Sequence, residues 1–162
     1  MVLDVGIKLF KNERIIFFTL QEISDKISVI SDLFDLIKEK GVNLLLVNTV
    51  PLPKGKIGFN FVVQDSEREE MKNLLEEIKE KEGKIYLKEF DNVGLITFLG
   101  KDLARRKGVV AEVLNLLAFY GVKIFLISSS LHSFSIIIPR EKIDFTLDIL
   151  REKLNIIEED IV

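Results

Sequence analysis

The chain has 162 residues, of which 48% are hydrophobic and 30% charged, with a net charge of −3 and no cysteine. That composition belongs to a folded protein able to bury a sizeable core, and it excludes a disordered chain, a collagen-like chain, a disulfide framework and a thiolate metal site. The mild acidity argues against a phosphate backbone as partner, because nucleic-acid binding needs a concentrated basic surface. No run reaches the roughly 18 apolar residues of a membrane span. The opening MVLDVGIKLF lacks the basic-then-apolar plan of a signal peptide, so the expected compartment is the cytoplasm. His132 is the single histidine and cannot furnish both a catalytic triad and a His-rich metal site.

Taken in chain order, residues 2–10 read as a strand. A second strand spans 15–20, too short for a helix and rich in β-formers. Ile27, Ile30, Leu33, Phe34 and Ile37 then recur at helical spacing, with Ser24 or Asp25 as the cap and Gly41 as the left-handed stop. Strands follow at 43–49 and 58–63 around the connector PLPKGK. Asp65-Ser66 with Glu69 is a capping-box pattern. It opens a helix with Met71, Leu74, Leu75 and Ile78 on one face, closed near Gly83. A strand at 84–90 ends this stretch. The order then repeats: strand 93–99, helix 109–120, strands 123–128 and 134–138, a helix from about 141 to 154, and a closing strand within 156–162.

The repetition is also visible residue by residue. A shift of 80 places Val29, Gly41, Val42 and Leu46 on Val109, Gly121, Val122 and Leu126. Beyond residue 128 the shift becomes 75, and GFNFVV falls on SFSIII. About five extra residues in PLPKGK account for the change. The chain is therefore two βαββαβ units, an α+β, ferredoxin-like plan with antiparallel sheets and helices on one face. The boundaries read as 1–90, including the N-terminal strand, and 91–162.

These units resemble the paired regulatory ACT units of aspartokinases. The stretch from VGIKLF to GVNLLLV is similar to the first such unit, and the stretch from VGLITFLGKD to LDILREKL to the second. The strand–loop–helix preceding "KGVN" and "YGVK", the "LISSSLHSFSIII" strand pair and the extra N-terminal strand carry the resemblance. It implies a non-catalytic regulatory or sensor protein that binds a small amino acid, of the threonine or lysine class, where the two units meet. It requires no cofactor and no metal. Since Met1 leads directly into these units, the implied partners are a second copy of the chain, in a homodimer, and a separate kinase or other enzyme chain. Neither nucleic acid nor membrane is implied. The alternative is a structural oligomerisation module that acts through a protein partner without a ligand.

The resemblance also implies site residues. The family's Asp-Lys-Pro-Gly loop falls on Asp25-Lys26-Ile27-Ser28, and its strand-borne Gln-Asn pair on Thr49-Val50. The facing strand of the other unit brings Gly121-Val122-Lys123-Ile124, with lysine in place of asparagine. One pocket is thus Asp25, Lys26, Ser28, Thr49, Val110, Lys123 and Ile124. The alternative pocket is Asn43, Leu44, Arg105 and Gly108, with Arg105-Arg106-Lys107 where an acid is wanted. Each residue also has a plainer reading. Asp25 is a helix cap by type, Lys123 a surface lysine, Ser128–Ser130 a strand-end turn, His132 an ordinary loop residue. No nucleophile, base and orienting group gather in one place, so no enzyme activity is expected.

A second expectation concerns self-association. Strands such as IIFF, LLLV and IFLI are apolar at both parities, whereas a sheet with one wet face alternates. A second copy is the simplest cover for that face.

Overall fold

The computed structural model describes residues 7–101, 103, 106–154 and, by backbone alone, 158–161. Its elements are β1 (Lys8–Asn12), β2 (Ile15–Ser24), α1 (Ile27–Glu39), β3 (Leu46–Leu52), β4 (Lys56–Gln64), α2 (Arg68–Glu82), β5 (Tyr86–Phe90), β6 (Val93–Leu99), α3 (Val109–Phe119), β7 (Leu126–Ser129), β8 (Ser133–Pro139), α4 (Ile143–Leu154) and β9 (Glu158–Ile161). They form two compact units. One is Arg14–Asp91, and the other joins the chain before residue 14 to the chain after residue 91.

In the Arg14–Asp91 unit the sheet order is β3-β4-β2-β5, antiparallel throughout. Ile16, Phe18 and Leu20 of β2 and Phe59, Phe61 and Val63 of β4 share one parity, hence one face of the sheet. That face packs against Leu33 and Ile37 of α1 and Met71, Leu74, Leu75 and Ile78 of α2. Phe59 and Phe61 stack at 5.5 Å, with Phe34 tilted against both. Burying side chains of this size contributes about 1.5–3 kcal/mol each, which fixes the strand register. The ends of α2 and β5 are tied by Arg68, which bonds Glu89 and lies 3.7 Å from Asp91.

The other unit repeats the plan with one addition. Its sheet order is β7-β8-β6-β1-β9. Phe98, Phe134, Ile136 and Ile138 face Val113 and Leu117 of α3 and Leu147 and Leu150 of α4, and Leu9 of β1 joins the same core. One sequence expectation is corrected here. The N-terminal strand was assigned to the first unit, residues 1–90; β1 instead pairs antiparallel with β6 across Lys8↔Leu99 to Asn12↔Leu95. Only non-local pairing decides this: buried Leu9 completes the second core, and the first sheet is already closed by the β2–β5 pairing. The antiparallel plan holds in both units, and to it β9 adds a parallel pairing with β1, which occupies the place beside β6. Residues 2–6, 155–157 and 162 of the predicted terminal strands lie outside the described residues.

The sheet of the Arg14–Asp91 unit differs from a one-wet-face pattern in a way that bears on self-association. Phe17 and Val62, off the helix-packed parity, are 2% and 0% exposed within the single chain. Apolarity at both parities therefore does not itself call for a second copy. No helix among the described residues is long and apolar enough to cross a membrane.

Candidate functional site

In the Arg14–Asp91 unit the strand–loop–helix differs from the sequence expectation. β2 runs four residues past position 20, to Ser24, across a bulge between Leu20 and Ile23. Glu22 takes a φ of 69° there, in the left-handed region, while Ile23 stays fully buried. The extension follows from the five-residue insertion. PLPKGK is not only a connector: it lengthens β3 and β4, so that Ser24 pairs with Lys56. The hairpin tip then folds back, and Asp25 N–H donates to Gly55 O at 3.0 Å. A Cβ at position 55, where φ is 69°, would stand 3.5 Å from Asp25 Oδ1. That distance is an ordinary contact, so it is the turn, with its left-handed φ, that calls for glycine.

Neither Ser24 nor Asp25 caps α1. The N-cap is Lys26, without a side-chain cap bond, and Ser24 Oγ accepts only Lys26 N–H at 3.4 Å. Likewise Asp65, Ser66 and Glu69 make no capping box: a short 3-10 turn precedes α2, and no side chain caps either. The reason at α1 is backbone placement: Ser24 still lies in β2 and the Asp25 N–H is tied to Gly55 O, so the helix starts only after Lys26. What remains is an exposed Asp25 one residue before the N-cap of a helix. The first-turn N–H groups of such a helix, here Ile27 and Ser28, have no intrahelical acceptor. Lys26, Ser28 and Thr49 are also exposed, Thr49 lying on edge strand β3 opposite Phe59.

The left-handed Glu22 gives a direct test of the bulge. A non-glycine residue there costs about 1–2 kcal/mol, part of which is returned to the flexible unfolded chain when glycine is introduced. Glu22→Gly is expected to raise stability by about 0.5–1 kcal/mol in a thermal or denaturant melt. An unchanged or lowered midpoint would show that the Glu22 side chain stabilises the bulge more than its backbone strains it.

The equivalent region of the other unit is open. β6 stops at Leu99, and the chain takes a longer path, 100–108, to α3. Gly108 is the N-cap with φ 87°, a conformation that β-branched residues avoid. Here lies a cleft of about 650 Å³ lined by Arg106, Lys107, Gly108, Val110, Ser129 and Ser130, with Leu103 and Leu114 as apolar walls. Gly108 and Val110, drawn from the two alternative pockets of the sequence reading, thus share one cleft. Lys123 and Ile124 are not in its lining. Lys123 is exposed, its Nζ 4.6 Å from the centre of the Phe125 ring, and Ile124 packs on the core. Arg105 lies outside the described residues. Of the remaining candidates, Asn43 donates its N–H to Glu67 Oε1 at 2.9 Å, and Leu44 packs against the first unit's core.

The serine run proves to be mainly a turn. Ser130 N–H donates to Ser133 O at 2.8 Å, and Ser130 Oγ accepts Ser133 N–H at 3.2 Å. His132 is more than an ordinary loop residue. Its carbonyl accepts Gly100 N–H at 2.8 Å, and its Nδ1 donates to Lys101 O at 3.0 Å. This two-point contact ties the hairpin to the loop that lines the cleft. Gly55 and the two leucine walls are not among the candidate site residues of the sequence reading. The left-handed demand at Gly55 is legible in "KG", but its contact with Asp25 is not.

Chemically, each unit presents a helix N-terminus beside the end of an edge hairpin. Free N–H groups at such a terminus favour a carboxylate. A carboxylate such as that of Asp25 accepts an ammonium through charge-assisted bonds. The two units divide these features: the acid stands at α1, and the cleft with hydroxyls and cations stands at α3. Among the described residues no three histidine, aspartate or glutamate side chains gather as metal ligands.

The fold thus defined is a tandem of ACT-type, ferredoxin-like units. It is the fold of aspartokinase regulatory subunits. The regulatory subunit of aspartate kinase from Thermus thermophilus, in its ligand-free form, superposes with a TM-score of 0.78 at 20% identity, over 91% of this chain and 96% of that one. A chain in the crystal structure of aspartokinase alpha and beta subunits gives 0.79 at 19% identity, over 94% of this chain and 99% of that one. Aspartate kinase from Synechocystis gives 0.81 at 14% identity, over 91% of this chain but 26% of that one. No protein-family model and no curated protein matches the chain.

Proposed function

We propose that the chain is a non-catalytic regulatory protein that binds a small amino acid of the threonine or lysine class. One observation carries the reading: near-complete mutual coverage with a regulatory subunit of aspartate kinase, 91% and 96% in the Thermus thermophilus case. The helix N-termini described above supply the chemistry that an amino acid's carboxylate needs. Asp25 supplies the counter-charge for its ammonium. A similar structure, Escherichia coli aspartokinase III, was solved with lysine and aspartate, which gives the lysine class its support. On this reading the chain works in the cytoplasm as a homodimer and acts on a separate kinase or other enzyme chain.

The test is a titration calorimetry series on the wild type and Asp25→Asn. Asp25→Asn removes the negative charge that would hold the ligand's ammonium through charge-assisted bonds. Asp25→Asn is expected to weaken amino-acid binding at least about tenfold. The melting temperature of the free protein should stay nearly unchanged, since the side chain does not cap α1. Retained binding in Asp25→Asn with loss in Arg106→Ala would move the ligand to the cleft at α3.

A further inference from the structure

Each unit holds the chain that leads into its first helix against its own hairpin, and the two do so by different means. In the Arg14–Asp91 unit the tie is made by backbone alone. Asp25 N–H donates to Gly55 O at 3.0 Å, and two residues separate β2 from α1. In the other unit nine residues separate β6 from α3, and the tie runs partly through a side chain. The β6–β8 ladder ends at Leu99↔Ser133. Beyond it, His132 O accepts Gly100 N–H at 2.8 Å, and His132 Nδ1 lies 3.0 Å from Lys101 O. A carbonyl oxygen can only accept, so Nδ1 carries the proton of that bond.

The tie continues along the loop. Gly100 O accepts Leu103 N–H, and Leu103 O accepts Arg106 N–H, both at 3.3 Å. Leu103 is buried in the core of this unit, which anchors the middle of the path. A hydrogen-bonded route thus leads from His132 to the backbone of Arg106. Both ends of the route bear on the cleft at α3. The β7–β8 hairpin supplies Ser129 and Ser130 to its lining, and the loop supplies Arg106, Lys107 and Gly108. His132 is exposed and is not itself in that lining. We infer that His132 is a positioning residue for this cleft: its Nδ1–H bond to Lys101 O holds the loop so that Arg106 and Lys107 stand ready for a ligand's carboxylate. The inference rests on the amino-acid reading above, with the carboxylate of that ligand at this cleft.

The physical effect is preorganisation. Each residue that a ligand must order on binding costs affinity, so a loop ordered beforehand binds more tightly. One side-chain hydrogen bond contributes modestly to that order, equivalent to about three- to tenfold in affinity. The bond from Gly100 N–H to His132 O does not depend on the side chain at 132. The turn of the hairpin is held separately, by Ser130 Oγ accepting Ser133 N–H. Loss of the ring therefore loosens the loop without unfolding it. Asparagine isolates the chemistry: its Nδ2 is bonded to Cγ, as Nδ1 is in histidine, and its N–H can reach Lys101 O from the same place.

Two measurements on the full chain test this. His132 is the single histidine, so nitrogen NMR of the imidazole ring in the free protein reads its tautomer without ambiguity. The neutral ring is expected in the Nδ1–H form, because the hydrogen bond that a ring makes sets its tautomer. Calorimetric titration with lysine and with threonine then compares the wild type, His132→Ala and His132→Asn. His132→Ala is expected to weaken binding about three- to tenfold, and His132→Asn to stay within about twofold of the wild type. The melting temperatures of both variants should hold, because His132 is exposed. A ring in the Nε2–H form would overturn the inference. So would equal binding by the wild type and His132→Ala, or a His132→Asn as weak as His132→Ala. A wild type that binds neither amino acid overturns the amino-acid reading itself, before any variant is made, and this inference with it.

Discussion

Gly94→Val is expected to destabilise the protein by about 3 kcal/mol, at the upper end of what overpacking costs. Gly94 lies on β6, in register with Ile138, and α4 crosses directly over it. A Cβ there would stand 2.6 Å from Ile143 Cγ1 and 2.7 Å from Ile143 Cδ1. Ile143 is fully buried, so its side chain can give way only at the expense of the packed core around it. Gly94→Ala, with the same Cβ and nothing beyond it, should cost about 1–3 kcal/mol. A denaturant melt of both variants reads the difference. A valine variant as stable as the wild type would mean that α4 does not lie this close to β6.

The second large effect uses the repeat. Phe18 and Phe98 occupy the same place in the two units, 80 residues apart, and both are fully buried. Phe18 belongs to the core of β2, β4, α1 and α2, and Phe98 packs 5.4 Å from Phe134 in the other. Truncation to alanine removes the transfer free energy and leaves a cavity, about 3–5 kcal/mol in each case. For a chain of this length that lowers the melting temperature by roughly 6–20 °C. Equal losses at the two positions are expected if the units are one design used twice. A loss near zero at either would mean that its core tolerates the missing ring.

Helices and strands were legible because each local signal agreed with its neighbours. Met71, Leu74, Leu75 and Ile78 mark one helix face in the sequence, and all four are buried in the structure. The repeat showed through Gly41 and Gly121, which take φ of 69° and 68° where α1 and α3 end. What stayed hidden was non-local. Nothing in KLFKN states that this strand will pair with β6, 81 or more residues away, rather than with β2. The Asp25 cap failed for a similar reason: its backbone N–H is tied to Gly55 O in a hairpin lengthened by the PLPKGK insertion, and the helix starts one residue later, after Lys26. Loop lengths were equally opaque. The two-residue passage from β2 to α1 and the nine-residue passage from β6 to α3 decide where a cleft opens, and they depend on where each strand stops. The candidate site was therefore legible as a set of loops, while the grouping of Gly108 and Val110 in one cleft, apart from Lys123 and Ile124, required the fold.

The central claim is that an amino acid is the chain's ligand, and a thermal-shift screen of the twenty amino acids against the free protein tests it most directly. At one hundred times its dissociation constant, a ligand that binds only the folded state stabilises it by about 2.7 kcal/mol, a shift of roughly 5–11 °C for a chain of this length. The account predicts such a shift with one or a few amino acids, lysine and threonine first among them. No shift with any of the twenty would contradict it and leave the chain as an oligomerisation module without a ligand.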